Sequence, residues 1–249
     1  MDEKRRVKIQ AVNLTKCFGD LKVLDDISFE VYEGEFLCIV GPTGCGKTTF
    51  LNCLTKIFDI TSGEILFDNK PIDTKVDNVS YILQETSIMP WLTIEQNVRL
   101  GLEIKKKPEV LIKERVDEML EIVGLTEFRK YYPKQLSVSM LQRTVIAQAF
   151  ATYPELLLMD EPYGQLDLEL RFKLEDELIK LWQKTKTTVI FITHNVEEAV
   201  YLAQRVMVLT NKPTKVKTIL NCDLPRPRDV ASDEFVKIRN KVTDLIKWW

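Results

Sequence analysis

The chain has 249 residues, of which 45% are hydrophobic and 29% charged, and its formal net charge is −2. This balance is typical of a soluble globular protein with a sizeable core, and it provides no global basic field to recruit nucleic acid or anionic lipid. The sequence has no apolar run long enough to cross a bilayer and no secretory signal, so we expect a cytoplasmic protein. Its five scattered cysteines include no CxxC pair, which argues against a disulfide framework and against zinc.

The first part of the chain has mainly strand character. β-branched and aromatic residues with Gly or Asp punctuation predict strands, and the apolar run FLCIVG, residues 36–41, is typical of a strand buried on both faces. The predicted strands lie within 7–18, 27–41, 63–72 and 79–84, and a helix is predicted at 47–58.

The pattern becomes helical between Thr93 and Ala151. Three segments have helical spacing, and Pro108, Gly124 and Pro133 separate them. Pro108 fits a helix start and Gly124 a helix end. The predicted helices are 93–104, 108–124 and 138–152.

Strands and helices alternate after this insert. Strands are predicted within 155–162, 187–194 and 205–210, and helices at 167–185 and 195–204. Such alternation predicts a mostly parallel sheet with right-handed crossovers. A tail beyond Asn211 contains Pro213, Pro225 and Pro227 and closes with a polar helix that ends in two tryptophans.

A phosphate-binding loop is predicted between the third strand and the first helix. The segment GPTGCGKT, residues 41–48, matches G-x-x-x-x-G-K-[ST] in the required strand-to-helix context. Its glycines allow a tight turn that directs N–H groups at a polyphosphate, Lys47 should reach the β- and γ-phosphates, and the Thr48 hydroxyl should ligate Mg²⁺. The candidate nucleotide-binding residues here are Gly41, Pro42, Thr43, Gly44, Cys45, Gly46, Lys47, Thr48 and Thr49.

An acidic pair follows a second buried strand. Four apolar residues, LLLM, precede Asp160 and Glu161. Asp160 should hold Mg²⁺, and Glu161 can act as a general base or orient the attacking water.

Three further features complete an ordered set of motifs. Gln84 closes a strand in YILQE, LSVSMLQR occupies residues 136–143, and His194 closes a strand in FITH. Together with EPYGQLD after the acidic pair, this order resembles the ATP-binding cassette (ABC) family of transporter ATPases, from Val7 to Leu209. The resemblance implies ATP and Mg²⁺ as cofactors and hydrolysis of ATP coupled to transport.

The resemblance also assigns roles outside the phosphate loop. It implies that His194 contacts the γ-phosphate and the catalytic water, so that Glu161, His194 and Lys47 are the expected catalytic residues. It implies that Gln84 ligates Mg²⁺ beside Thr48 and Asp160 and senses the γ-phosphate. Asp167 matches the loop aspartate that crosses the dimer interface. Phe18 matches the aromatic residue that stacks on adenine, although a core role is the alternative for this ring.

The fold that this resemblance implies is α/β. It has a P-loop NTPase core with a mainly parallel sheet, an N-terminal antiparallel β subdomain and an inserted α-helical subdomain. The whole chain, 1–249, is then a single ABC ATPase domain. Its expected parts are a catalytic core (1–86 and 153–210), a helical subdomain (87–152) and a short C-terminal extension (211–249).

In that family, two cassettes sandwich two ATP molecules head to tail. Ser137 and Ser139, in the signature segment, are therefore expected to meet ATP held by the other chain of a homodimer or cassette heterodimer. The other implied partners are integral-membrane permease subunits and, indirectly, an extracytoplasmic solute-binding protein, with no nucleic acid. Such a subunit attaches peripherally to the inner face of the cell membrane.

Two stretches look like the importer ATPases for nitrate, sulfonates and taurine. They are QETSIMPWLTIEQNVRLGLE and LPRPRD. Within the first, Met89, Trp91 and Leu92 either pack locally or form part of a groove for a coupling helix of the permease.

The signature segment departs from the family pattern. Val138 and Ser139 replace two glycines, and Gln148 stands where the family more often has Arg. Ser137 can still cap a helix whose N–H groups face phosphate, but the backbone loses clearance, so we expect weaker closure and slower hydrolysis. This departure leaves open a degenerate, weakly or non-catalytic ATP-binding subunit of an asymmetric pair. A soluble cassette ATPase of DNA repair or translation is the third reading, although the low net charge provides no nucleic-acid footprint.

Overall fold

The computed structural model describes residues 5–74, 77–85, 87–164 and 166–246. The chain divides into two compact units, Met1–Asp77 with Thr188–Trp249, and Asn78–Thr187. The two tryptophans at the end of the predicted polar helix lie outside the described residues. In chain order, the elements are β1 (Val7–Phe18), β2 (Leu21–Tyr32), β3 (Phe36–Val40), α1 (Lys47–Leu54), β4 (Ser62–Phe67), β5 (Lys70–Pro71), β6 (Val79–Ile82), α2 (Ile94–Ile104), α3 (Glu109–Ile122), α4 (Val138–Ala151), β7 (Leu156–Asp160), α5 (Leu168–Thr185), β8 (Thr188–Ile192), α6 (Val196–Leu202), β9 (Arg205–Leu209), β10 (Val216–Asn221) and α7 (Asp233–Ile246).

The first unit contains an antiparallel sheet in the order β2-β1-β4-β5. The long strands β1 and β2 form a hairpin in which Ala11 faces Phe29 and Phe18 faces Leu21. Gly19 turns this hairpin with φ +55°, a conformation that glycine adopts at little cost. The predicted antiparallel β subdomain is thereby confirmed.

A second sheet of the first unit has the order β10-β9-β3-β8. β3 lies between β8 and β9 and is parallel to both. Every residue of β3 is buried, as its continuous apolar run predicted, and every residue of β8 is buried as well. β10 pairs antiparallel with β9 and is an addition to the expected elements of the tail, whose polar helix is present as α7.

The first helix is shorter than predicted. α1 ends at Leu54, and Lys56 adopts a left-handed conformation with φ +56°, so the chain leaves the helix before Phe58. The apolar residues of the segment 55–60 therefore do not extend the helix.

The second unit joins a strand pair to helices. β6 and β7 run parallel, with Tyr81 opposite Leu158. α2, α3 and α4 form the predicted helical region, with Val98, Met119 and Phe150 in its core. Thr93 begins α2 with a capping box, Pro108 precedes α3, and Gly124 follows that helix with φ +66°, which confirms both punctuation residues.

No helix in the described part of the chain is long and apolar enough to cross a membrane.

Candidate functional site

The phosphate loop has the backbone conformation that its glycines predict. It runs from the end of β3 to the start of α1, with φ +75° at Gly44 and φ +115° at Gly46, the residue that precedes the helix. Gly41 lies close to β9, where a Cβ atom would stand 3.0 Å from the Cβ of Leu209. The loop therefore combines left-handed turns with a close approach to a neighbouring strand, and both favour glycine.

Lys47 is the charged group of this loop. Its side chain is 6% exposed, and its Nζ donates to the carbonyl oxygens of Gly41 at 3.0 Å and Pro42 at 3.2 Å. The ammonium group is thus held over the loop at the N-terminus of α1, where N–H groups and the helix dipole favour an anion. Thr43 and Thr48 are exposed and Thr49 is half-buried.

Cys45 faces the protein interior. Burial raises the pKa of its thiol, so this cysteine is an inert packing group at neutral pH. Its carbonyl oxygen accepts a hydrogen bond from the hydroxyl of Thr214, a residue that no local sequence pattern connects with the loop.

Phe18 is a half-exposed ring. Its side chain is 42% exposed and meets Phe58 edge-on, with the ring centroids 5.4 Å apart. The Nζ of Lys16 lies 4.6 Å from its centroid. These features contradict the alternative of a core role for Phe18 and leave part of the ring available for stacking.

His194 is an exposed side chain that follows β8. The next residue, Asn195, caps α6 through hydrogen bonds from the N–H groups of Glu197 and Glu198 at 2.9 and 3.2 Å. His194 is therefore placed by a rigid strand and by the fixed start of a helix.

The other end of α6 is also held. Arg228 is buried and donates to the carbonyl oxygens of Tyr201 at 3.1 Å, Ala203 at 2.6 Å and Cys222 at 2.7 Å, and Arg226 donates to that of Tyr201 at 3.2 Å. Desolvation lowers the pKa of Arg226 to about 10. The stretch LPRPRD thus caps the helix after His194, a structural role that its sequence pattern alone did not show.

Asp160 and Glu161 lie in the second unit. Asp160 is buried at the end of β7, and the hydroxyl of Tyr81 on the paired strand hydrogen-bonds to its carboxylate. Burial and this carboxylate raise the pKa of Tyr81. Glu161 is half-buried and has φ +47°, a strained conformation for a side chain of this size and one that clusters at functional sites.

Two further candidates in this unit are exposed. Gln84 follows β6, and Asp167 precedes α5 and caps it, since its Oδ1 accepts from the N–H of Leu170 at 2.9 Å. Hydroxyl, carboxylate and amide oxygens are ligands that suit Mg²⁺, and these are the groups that Thr48, Asp160 and Gln84 carry.

The signature segment begins a helix as predicted. Ser137 is the N-cap of α4, and its Oγ accepts from the N–H of Met140 at 3.4 Å. The hydroxyls of Ser137 and Ser139 hydrogen-bond at 3.0 Å, and Val138 is 62% exposed between them. The helix therefore tolerates both replacements, and Val138 covers its N-terminal surface.

The structure groups the candidates within each unit. The first unit holds the phosphate loop, with Phe18 and His194 on other elements, and the second holds Gln84, the signature serines, the acidic pair and Asp167. Residues that the sequence analysis did not single out include Tyr81 and Thr214, whose hydroxyls hydrogen-bond to site residues.

Comparisons with known proteins agree with the motifs. A family model described as "ABC transporter" matches residues 24–164. An uncharacterized ABC transporter ATP-binding protein of Methanocaldococcus jannaschii, MJ0412, is 44% identical over 249 residues, which cover 98% of this chain and 93% of that protein. The aliphatic sulfonates import ATP-binding protein SsuB of Bacillus cereus is 40% identical over 234 residues, which cover 94% of this chain and 92% of that protein.

A solved cassette has the same fold. The dimeric structure of MJ0796, a bacterial ABC transporter cassette, has a TM-score of 0.75 at 29% identity and covers 87% of this chain and 100% of its own. A second structure of that cassette, a dimer in a post-hydrolysis state, is bound to ADP and Pi.

Proposed function

Because the chain belongs to the ABC transporter family as an ATP-binding, ATP-hydrolysing subunit, we propose that it energises the import of an aliphatic sulfonate or of a related small solute such as nitrate or taurine. The observation that carries the cargo class is the similarity to the sulfonate import protein along 94% of the chain. The importer-like stretches that surround Trp91 and Arg228 support the same class.

In this proposal, the phosphate loop binds the triphosphate of ATP. Lys47 exchanges the carbonyl oxygens of Gly41 and Pro42 for phosphate oxygens, at little cost because both sets are acceptors for the same ammonium group. Phe18 stacks on adenine. The left-handed turns at Gly44 and Gly46 suit a loop that directs N–H groups at the phosphates, while the N–H of Cys45 donates to the carbonyl oxygen of Pro42 at 3.2 Å.

Thr48, Gln84 and Asp160 would hold Mg²⁺, which neutralises charge on the phosphates when it is bound. Tyr81 supports this role, since its hydroxyl occupies one lone pair of the Asp160 carboxylate and limits the rotation of that group. Glu161 orients or deprotonates the attacking water, and His194 contacts the γ-phosphate. The strained backbone at Glu161 aims its carboxylate, in keeping with a functional site.

The assembly that we propose is a dimer docked on membrane permease subunits at the inner face of the membrane. The hydroxyls of Ser137 and Ser139 and the first turn of α4 would meet ATP of the second cassette, and Asp167 would lie at the same interface. The dimeric state of a structurally similar cassette supports this arrangement.

The turn that would contact the permease is well ordered by hydrogen bonds. The buried Asn97 accepts from the N–H of Met89 at 2.8 Å and donates to the carbonyl oxygens of Met89, Leu92 and Thr93 at 3.1, 3.2 and 2.9 Å. This clamp presents Trp91 with 70% of its side chain exposed. A rigid turn with an exposed tryptophan suits an anchor for a partner helix.

The test is reconstitution of the chain with permease subunits of an alkanesulfonate importer in lipid vesicles. Vesicles containing the complex should hydrolyse Mg·ATP and accumulate a radiolabelled alkanesulfonate, and Glu161→Gln should abolish both while ATP binding persists. Glu114→Gln, which removes an equal charge from an exposed position on α3, is the matched control and should leave both activities unchanged. Hydrolysis without uptake of sulfonate, nitrate or taurine would contradict the cargo class alone.

The dimer has its own test. The Glu161→Gln chain should elute at twice its monomer mass in gel filtration with Mg·ATP and as a monomer without nucleotide. A monomer in both conditions would contradict self-dimerisation and point to a heterodimer. The alternative of a weakly or non-catalytic subunit receives no support from the relatives found.

A further inference from the structure

A segment of the C-terminal extension, Lys212–Lys215, lies against the rear of the phosphate loop. Thr214 is fully buried and forms a parallel bridge with Leu24. Its N–H donates to the carbonyl oxygen of Val23 at 2.9 Å, and its own carbonyl oxygen accepts from the N–H of Asp25 at 2.9 Å. Thr214 therefore extends the edge of β2 at the level of the loop.

The Thr214 side chain connects this segment to the phosphate loop. Its Oγ1 donates to the carbonyl oxygen of Cys45, a contact that spans 169 positions of sequence. A Cβ atom on Gly46 would stand 3.8 Å from the same Oγ1 and only 2.8 Å from Cγ1 of Val23. The rear face of the loop is thus packed against Val23 and Thr214 with no spare volume.

Three further contacts fix the segment itself. The Nζ of Lys215 lies 3.1 Å from a carboxylate oxygen of Asp25 on β2. The hydroxyl of Thr210 accepts from the N–H of Lys215 at 2.9 Å, and the N–H of Thr210 donates to the carbonyl oxygen of Lys215 at 3.0 Å. Thr214 is therefore held from both sides, and its hydroxyl has a defined position.

The direction of the Cys45 carbonyl matters for phosphate binding. A loop that binds an anion presents N–H groups to it, and a carbonyl oxygen that no cation neutralises must point away, because a carbonyl oxygen repels a phosphate. A buried carbonyl that points away from the ligand needs a donor, and an unsatisfied one costs about 1–3 kcal/mol. We propose that Thr214 is a positioning residue for ATP binding, which holds the Cys45 carbonyl rearward so that the loop keeps its N–H groups directed at the phosphates.

This inference concerns ATP binding alone and is independent of the transported solute. Thr214→Val keeps the shape and removes the donor, and we expect it to raise the Kd for ATP about tenfold, with the change in KM larger than that in kcat. Thr214→Ser restores the hydroxyl and should return the Kd to within about twofold, while Thr214→Cys, a weak donor, should fall between them. Fluorescence titration with labelled ATP measures the Kd values, and steady-state hydrolysis of Mg·ATP measures KM and kcat.

Thr210→Val is the matched control. It removes a hydroxyl beside the segment, one that contacts Lys215 and not the loop. The backbone bonds of Thr214 to Val23 and Asp25 and the bond from the N–H of Thr210 to Lys215 remain, so the free energy of unfolding should fall while the Kd for ATP stays unchanged. Urea denaturation of every variant separates stability from affinity. Two results would overturn the proposal. One is a Thr214→Val chain that loses stability but keeps its Kd for ATP, and the other is a set of Kd values that does not follow the donor strength of residue 214.

Discussion

Replacing Gly46 by alanine tests whether the phosphate loop depends on backbone conformation or only on its charged residue. An L-residue at φ +115° is strained by about 2 kcal/mol. The new Cβ atom would also stand 2.8 Å from Cγ1 of Val23 and 3.3 Å from Cδ2 of Leu24, and such overpacking adds about 2 kcal/mol. The total of about 4 kcal/mol corresponds to roughly a thousandfold in an equilibrium constant.

Gly44→Ala is the matched comparison. Gly44 also has a positive φ, +75°, but its Cβ would meet no atom within 4 Å. Only strain of about 1 kcal/mol applies, which is roughly a fivefold effect. The two variants therefore compare conformational strain alone with larger strain plus steric exclusion within one loop.

The strain can be released in two ways, and each has its own measurement. Calorimetric titration with ATP measures a loss of affinity, and urea denaturation measures a loss of stability. A distorted loop loses affinity and a retained loop loses stability, so the two losses should add up to about 4 kcal/mol for Gly46→Ala and about 1 kcal/mol for Gly44→Ala. Equal total losses in the two variants would refute the steric argument.

The remaining predictions concern the signature segment and two buried polar side chains. Restoring glycine at both Val138 and Ser139 should raise ATP turnover several-fold because clearance at the start of α4 increases, at a helix cost of about 1–2 kcal/mol; unchanged turnover would show that the glycines are not limiting. Asn97→Ala should lower the free energy of unfolding by about 2–3 kcal/mol in urea, since the N–H of Met89 loses its acceptor and the carbonyl oxygen of Leu92 its side-chain donor, while the carbonyl oxygens of Met89 and Thr93 keep a backbone donor; an effect under about 0.5 kcal/mol would contradict the clamp. Arg228→Met should cost about 3 kcal/mol by the same measurement, whereas Arg239→Met, at a half-buried ion pair, should cost under about 1 kcal/mol; similar losses would argue against the capping role.

Elements whose determinants are local could be predicted from the sequence. β1 spans Val7–Phe18 as predicted, and Ser137, Pro108 and Gly124 mark helix ends because cap and turn chemistry acts over a few residues. β10 was not predicted, because its alternating, half-buried residues at the end of a sheet lack the continuous apolar run of a central strand.

Contacts between distant segments could not be predicted. The hydroxyl of Thr214 on the Cys45 carbonyl, the hydroxyl of Tyr81 on Asp160, and the Arg228 cap on α6 each join positions that no local pattern connects. The positive φ at Glu161 is likewise set by the tertiary structure, since a glutamate codes for no such turn. The roles of the predicted site residues in catalysis stay predictions that the variants above test.

The bond between Thr214 and Cys45 also relates nucleotide binding to protein synthesis. The residues of the phosphate loop leave the ribosome early. Thr214, which donates to the Cys45 carbonyl, follows 169 positions later, after β8 and β9, the two strands that flank β3. At about 5–20 residues per second, that interval is roughly 10–30 s. A nascent chain therefore carries its ATP-binding motif long before it can hold the loop in shape, and nucleotide can act as a late stabiliser of the finished first unit rather than as a template for its folding.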